Sequence, residues 1–337
     1  MFPSLLIPVH DQGQAGEARR QARVWAREAG GSEDHVARVA LVVTELANNL
    51  GLHTKRGGVV LLRKISQGEQ IGIEILALDD GPGTANFSQF MRDGYSTTGT
   101  PGTGLGAVER ASQLFEVHSQ PEIGTVLLCQ VWSGKSVSND DEGRWKVGAV
   151  NLAMRHEHVS GDSWCFYSQG AGRSRTIVAD GLGHGPAAAE ASRRAVEVFN
   201  AHKEQSLPVL MRTMQEALRG TRGAAVAVTE IDLGQEALRY VGVGNIAACV
   251  LTHEKSVSLV SMNGTVGVRS ERIQEFTYPW PRGGVLVMSS DGLKTQWNLQ
   301  RNTGLLGRHP GLIAGALYRD HNRGTDDTTV VVIRTGA

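Results

Sequence analysis

Several things that would declare a function in bulk are missing from this sequence. Net charge is absent: 34 Lys and Arg balance 34 Asp and Glu. No Lys/Arg-rich run occurs and neither half carries a strong excess of one sign, so a nucleic-acid partner, which depends on such runs, is not expected. No stretch of about 18 apolar residues exists, which argues against a helical membrane span. The opening MFPSLLIPVHDQ has no basic leader and too short an apolar core for a secretory signal. Cysteine is scarce. Cys129, Cys165 and Cys249 lie far apart in strand-like runs, where they read as small buried hydrophobes in a reducing cytoplasm. The rest, 40% hydrophobic and 20% charged over 337 residues, is ordinary globular composition, long enough for more than one domain.

The chain divides at SGKSVSNDDEGR, a polar stretch expected to link residues 1–132 to residues 145–337. The first part begins with an apolar run, Leu5 to Val9, then two helical stretches near 14–29 and 33–50. In the second, Val36, Val39, Ala40, Val43, Leu46, Ala47 and Leu50 recur at spacings of three and four, one apolar helix face. Strand-like GGVVLLRKI and QIGIEILALD follow, then a Gly-rich stretch, a helix over 104–114 and the strand GTVLLCQVW. This predicts an α+β sandwich, a sheet with helices on one face. The second part is richer in strands: VGAVNLAM, DSWCFYSQ, RTIVAD, GAAVAVTEI, ALRYVGVG, NIAACVLT and GVLVMSSD. Helical patterns at 186–203 and 207–218 lie between them, which suits two sheets with helices packed outside.

Acidic residues sit at turns in this second part. SGD (160–162) begins a strand, VADGLGHG (178–185) ends one before a helix, SSDG (289–292) ends another and is expected to open a helix, and GTDDTT (324–329) precedes the last strand. An Asp-Gly pair alone marks a turn. Four carboxylates at strand ends can instead converge at one rim of a β-sandwich, offering the oxygen ligands that hard divalent cations prefer. Two such ions, about 4 Å apart, can activate a bridging water and neutralise a phosphoryl group.

The order GD…DGxGHG…SDG…GTDD resembles the metal-dependent protein phosphatases of the 2C type, especially their bacterial branch named for the sporulation stage II phosphatase. The resemblance covers about residues 145–335 and implies an αββα domain with two Mn²⁺ or Mg²⁺ ions that hydrolyses phosphoserine or phosphothreonine. By motif, it implies Asp162, Asp180, the Gly181 carbonyl, Asp291 and Asp326 as ligands, with Asp327 outside the first ring or on a third ion. One position departs. The eukaryotic members place a phosphate-binding Arg where this chain has Glu157; Arg155 or Arg173 could substitute for it. His184 is read either as a phosphate contact or as a turn residue. His156 and His158 alternate along an expected strand and lack the partners of a zinc site.

In the first part, Glu45 and Asn49 of TELANNLGLHT are four residues apart and share a helix face, with His53 one turn further. A carboxylate there can accept a hydroxyl proton, and an Asn oxygen is a hard Mg²⁺ ligand. DDGPG (79–83) ends a strand with a carboxylate able to accept from an adenine amino group. STTGTPGTGLGAVERAS (96–112) is a Gly-rich loop entering a helix, an arrangement that presents N–H groups to phosphates. A Rossmann unit is excluded, because the glycines come late and no strand–GxGxxG–helix opens the domain.

In this order the three pieces resemble the N, G1 and G2 boxes of the gyrase/histidine-kinase ATPase superfamily, most closely the serine-kinase branch of anti-sigma-factor kinases and the stressosome switch kinase. The resemblance spans about residues 1–132. It implies Glu45 as the base toward the substrate hydroxyl, Asn49 on Mg²⁺, Asp79 on adenine beside Gly81 and Gly83, Gly102, Gly104 and Gly106 around the phosphates, and Gly124-Thr125 near the adenine. No phospho-accepting histidine box precedes the domain, so a sensor histidine kinase is not expected. Residues 94–103 are expected to form an ATP lid. Together the two resemblances imply a cytoplasmic switch that phosphorylates and dephosphorylates Ser/Thr of STAS-domain antagonist or scaffold proteins; the alternatives are a nucleotide-binding docking module that tunes the phosphatase, or an anti-sigma factor. A stressosome-like complex is the implied setting, with ATP as the small-molecule partner.

Overall fold

The computed structural model describes residues 4–54, 57–68, 70–87, 104–134, 144–270, 272–299, 302 and 304–336. Contacts divide the chain into two compact units: one of residues 2–138 with 307–319, the other of 139–306 with 320–337 and Met1.

The first unit begins with β1 (Leu5–Val9), α1 (Ala15–Glu28), α2 (Glu33–His53), β2 (Gly58–Gln67) and β3 (Gln70–Asp79). It continues with α3 (Gly104–Ala111), β4 (Leu114–Gln120) and β5 (Gly124–Trp132). The strands form one antiparallel sheet in the order β1-β2-β3-β5-β4. Helix α2 starts where Ser32 accepts a hydrogen bond from the His35 amide (3.3 Å), an N-cap that satisfies one of the first free donors. Its apolar face, with Val36, Val39, Val43, Leu46 and Leu50, packs on Ile73, Ile75, Ala77, Leu127 and Cys129. The expected helix over 104–114 is shorter, because Leu114 already begins β4 and the chain leaves the helix after Ala111.

The second unit holds β6 (Trp145–Leu152), β7 (Asp162–Gly170), β8 (Arg173–Gly181), α4 (Pro186–Ala201), α5 (Leu207–Ala217), β9 (Ala224–Asp232), β10 (Ala237–Val243) and β11 (Ala247–Leu251). The short strands β12 (Ser256–Ser258), β13 (Gly264–Thr265), β14 (Arg269–Ser270) and β15 (Phe276–Pro279) precede β16 (Val285–Ser289), and β17 (Thr328–Thr335) closes the chain. Two five-stranded sheets result, β15-β10-β9-β8-β7 and β12-β11-β16-β17-β6, with β13 and β14 as a separate pair. Strand alternation explains the layers. Trp164, Val178, Ala227 and Tyr240 face Met288, Leu286 and Val331 in a core that takes residues from both sheets. Ile177, Ala179, Val226 and Val228 point to the other face, where Ala195, Phe199, Leu210 and Met214 of α4 and α5 cover them.

Helix α6 (Pro310–His321) breaks the simple division at 133–144. By chain order it lies in the second part, yet residues 307–319 cluster with the first unit. A Cβ on Gly315 would stand 3.1 Å from Leu78 and 3.3 Å from Leu76 and Val126. These residues lie on the opposite sheet face from Ile75 and Ala77, so the sheet has helices on both faces, not on one. The cause is visible in β3, whose Gly72–Leu78 are all buried: a strand that is apolar on both sides needs two covers. A polar row, Arg63–Glu74–Gln130, crosses the same face (2.7 and 2.9 Å).

Two further expectations change. SSDG does not open a helix: the chain turns at Gly292, and among the described residues the next α-helix is α6, from Pro310. His156 and His158 do not alternate on a strand, since β6 ends at Leu152 and His156 occupies a turn with φ 76°. Cys129 and Cys249 are buried, whereas Cys165 is half-buried beside Asn200. Among the described residues no helix is long and apolar enough to cross a membrane.

Candidate active sites

The register of β7 against β8 sets Asp162 directly opposite Asp180. Asp180 has the parity of Val178, so both carboxylates point to the side where the two sheets face each other. Asp291 follows β16 and Asp326 precedes β17, neighbours in the second sheet. The two loops touch closely: a Cβ on Gly292 would lie 2.0 Å from the Asp327 carbonyl, so only glycine lets SDG meet GTDD. Asp180, Asp291 and Asp326 line one cavity of about 460 Å³, with Leu182, Gly183, Asn245, Asn263 and Thr265 on its wall.

Burial raises the proton affinity of these acids. Asp180 is pushed up by burial and then by the charges of Asp162, Asp291 and Asp326. Asp162 is pushed up by burial, opposed chiefly by the hydrogen bond from Ser290. Asp291 is raised by burial and by Asp326, with Arg323 and Asn245 opposing. Like charges facing one another out of water cost energy in the absence of a counter-charge. Asp162 Oδ2 accepts from Ser290 Oγ (2.6 Å), while its buried Oδ1 has no partner. Asp291 Oδ2 accepts from Asn245 Nδ2 (2.7 Å). With these protein donors engaged, no three acidic, His or Cys side chains among the described residues are set around one point as a closed ligand shell. The chemistry still fits a divalent cation: an all-oxygen donor set, mutual repulsion, and an orphaned buried carboxylate oxygen.

Asp327 does a different job. Its two oxygens accept from the Met154 and Gly161 amides (2.8 and 2.9 Å), holding the loop before β7 against GTDD. Gly181 lies beneath α4, where a Cβ would meet the Ala188 carbonyl at 1.9 Å. His184 Nδ1 pairs with Glu157 (2.7 Å). Arg173 opens β8 and Asp180 nearly ends it, about 23 Å apart at strand rise, so Arg173 cannot stand in for the missing arginine. Asn245, Ser290 and Thr329 were not singled out in sequence. Ser290 had a signal, being the residue before the SDG aspartate; Asn245, in a GN turn, had only that turn.

The nucleotide-type site lies in the first unit. Leu46, Asn49, Leu50, Ala77, Asp79, Gly83, Leu105 and Thr125 line a cavity of about 270 Å³ with Pro82 and Phe87. Asp79 Oδ1 accepts from the Gly81 amide (2.8 Å) and the Thr125 amide (3.3 Å). Burial raises the Asp79 carboxyl, and those two N–H groups oppose the shift. Glu45 stands on the same helix as Asn49, and a Cβ on Gly104 would lie 2.6 Å from its carboxylate. The start of α3 is thereby held against Glu45. Gly106 is buried inside α3. Gly102 and the expected lid at 94–103 lie outside the described residues.

Comparison with known proteins finds a different family for each part of the chain. Residues 9–130 match the Histidine kinase-like ATPase domain family, and residues 170–336 match Stage II sporulation protein E (SpoIIE). Over 115 residues the chain is 33% identical to the serine/threonine-protein kinase RsbT of Bacillus subtilis, covering 34% of this chain and 86% of RsbT. The chain belongs to the RsbT-like ATPase family and carries a SpoIIE-type phosphatase domain. Its resemblance to stage II sporulation protein E of Bacillus subtilis is 24% over 212 residues, 57% of this chain but only 26% of that protein. A solved structure from work on the bacterial stressosome superposes with a TM-score of 0.52 at 25% identity, covering 57% of this chain and all (100%) of that one. The RsbT-like part holds the Asp79 cavity, and the SpoIIE-type part contains Asp180, Asp291 and Asp326.

Proposed function

We propose that this chain is a reversible phospho-switch: its SpoIIE-type unit hydrolyses phosphoserine or phosphothreonine on a protein partner, and its RsbT-like unit transfers a phosphoryl group from ATP to such a residue. The observation that carries the reading is the meeting of Asp162, Asp180, Asp291 and Asp326 at one rim, with the Asp162 Oδ1 atom buried and unpaired. In this reading those four and the Gly181 carbonyl hold two Mn²⁺ or Mg²⁺ ions. Bound there, the ions supply charge neutralisation for the phosphoryl group and acidify water. The protein's own part is to aim the carboxylates. Ser290 fixes Asp162, Asn245 fixes Asp291, and the Asp327 clamp keeps the two loops in register. In the RsbT-like unit, Asp79 accepts from adenine beside Gly81 and Gly83, Asn49 holds Mg²⁺ with ATP, Glu45 takes the substrate hydroxyl proton, and Gly102, Gly104, Gly106 and Thr125 border the nucleotide. STAS-domain antagonist or scaffold proteins are the proposed substrates, in a stressosome-like complex; the RsbT and stressosome likenesses support this.

The test is phosphate release from a phosphorylated STAS-domain protein with Mn²⁺. Release by the wild type that is lost in Asp180→Asn is expected. A wild type inert toward both that protein and an aryl phosphate would sink the phosphatase reading. A second reading makes the RsbT-like unit a nucleotide sensor that tunes the phosphatase. It is favoured by one contact: Arg319 Nη1 donates to the Asp79 carbonyl (3.2 Å), and the same chain reaches Asp326 a few residues later. Phosphotransfer that survives Glu45→Ala would favour this second reading over a kinase.

A further inference from the structure

The phosphatase site described above has four acids and no named cation for the substrate phosphate. The position that is Arg in the eukaryotic relatives is Glu157, and Glu157 is occupied with His184 (2.7 Å). Arg173 is at the far end of β8. Arg323 lies near enough to Asp291 for its charge to oppose that acid's raised proton affinity.

The loop between α5 and β9 provides another cation. The Leu182 amide donates to the Gly223 carbonyl (3.0 Å), tying this loop to the DGLGHG turn. Thr221 stiffens it from within, its hydroxyl accepting from the Gly223 amide (3.0 Å) and donating to the Leu218 carbonyl (2.7 Å). Arg222 reaches from there across Gly183, where a Cβ would lie 3.0 Å from Arg222 Nη1. Gly183 has φ 83° and lines the same cavity as Asp180, Asp291 and Asp326. Arg222 itself is exposed and has no ion pair among the described residues. A guanidinium with its donors free, carried to the edge of an acidic cavity by a tied loop, is suited to a phosphate dianion: its planar fork pairs two oxygens at once.

We propose that Arg222 is the substrate-phosphate-binding residue of this site, gripping the non-bridging oxygens of the phosphomonoester at the Gly183 edge of the cavity. The assignment rests on the phosphatase reading of the second unit. It reads the phosphate and not the polypeptide, so its effect should be alike for a phosphoprotein and for a small aryl phosphate.

The experiment uses the full chain with Mn²⁺ and has two readouts: hydrolysis of p-nitrophenyl phosphate, and calorimetric binding of inorganic phosphate. Arg222→Ala should raise KM and weaken phosphate binding by roughly 10- to 100-fold, as expected on losing charge-assisted hydrogen bonds. Its Mn²⁺ dependence should match the wild type, Arg222→Lys should fall between, and Arg155→Ala should change neither readout. KM and phosphate affinity within about twofold of wild type in Arg222→Ala would overturn the assignment, since so small a change corresponds to no lost charged contact. Weakening by Arg155→Ala in its place would overturn it too. If the wild type hydrolyses nothing yet binds phosphate through Arg222, the phosphatase reading fails while the anion site stands.

Discussion

Asp180 is the residue on which the chemistry and the stability of the second unit pull in opposite directions. Its carboxyl, like those of Asp162, Asp291 and Asp327, takes up protons more readily in the folded protein than in the unfolded chain, chiefly because it is buried. The folded state therefore binds more protons than the unfolded state above the usual carboxylate range. Stability of the metal-free protein is fully present at low pH and falls as pH rises from about 4 through the raised values. In chelator, thermal melts should show a lower melting temperature at pH 8 than at pH 6. Asp180→Asn, which removes one of the facing charges, should raise the metal-free melting temperature at pH 8 by about 2–4 °C per kcal/mol of relieved repulsion and flatten the pH dependence. A variant that melts lower than wild type in chelator would show that repulsion does not govern this cluster. At the other site, Glu45→Gln should leave ATP binding within about twofold while abolishing phosphotransfer, because a general base contributes to the chemical step and not to nucleotide affinity; titration with a fluorescent ATP analogue beside a phosphotransfer assay separates the two.

At the scale of elements, α6 carries the largest difference between what the sequence suggested and what the fold contains. Its amide-bearing start is held by Glu116, whose carboxylate accepts from the His309 N–H (3.0 Å), an acid at a helix N-terminus. Its small residues let it lie close on the sheet. Gly315→Leu would drive a side chain into Leu76, Leu78 and Val126, whose atoms already stand 3.1–3.3 Å from a Cβ there. Overpacking of this kind costs about 1–3 kcal/mol. Amide exchange should therefore speed up in β3 and β5 and stay unchanged in β8 and β9; uniform change across all four would mean the helix does not belong to the first unit's cooperative core.

For the whole molecule, the consequence is that the RsbT-like unit is completed by residues far along the chain. A fragment of residues 1–138 leaves Leu61, Leu76, Leu78, Val126 and Leu128, all buried in the intact chain, without the helix that packs over this face. It should bind a hydrophobic dye and melt lower than the same unit in the full chain; a fragment that melts as sharply and as high would refute this dependence.

The sequence alone determined the pieces whose physics is local. Helix α2 was legible from its spacing, the strands from their β-branched runs, and the acids from their place at turns. Asp79 and Thr125, 46 residues apart, were each marked by a strand end with glycine. What it left undecided is what depends on meeting across distance. The pairing of Asp162 with Asp180 follows from a β7–β8 register that strand patterns do not specify to one residue. The Asn245 and Ser290 supports come from the bend between β10 and β11 and from the segment after β16, and Arg222 comes near Gly183 where a backbone hydrogen bond joins two loops. The second cover on β3 was not expected from the sequence, which pointed to helices on one face, and which segment supplies it was decided by tertiary packing alone, since apolar faces choose partners by shape and not by order along the chain.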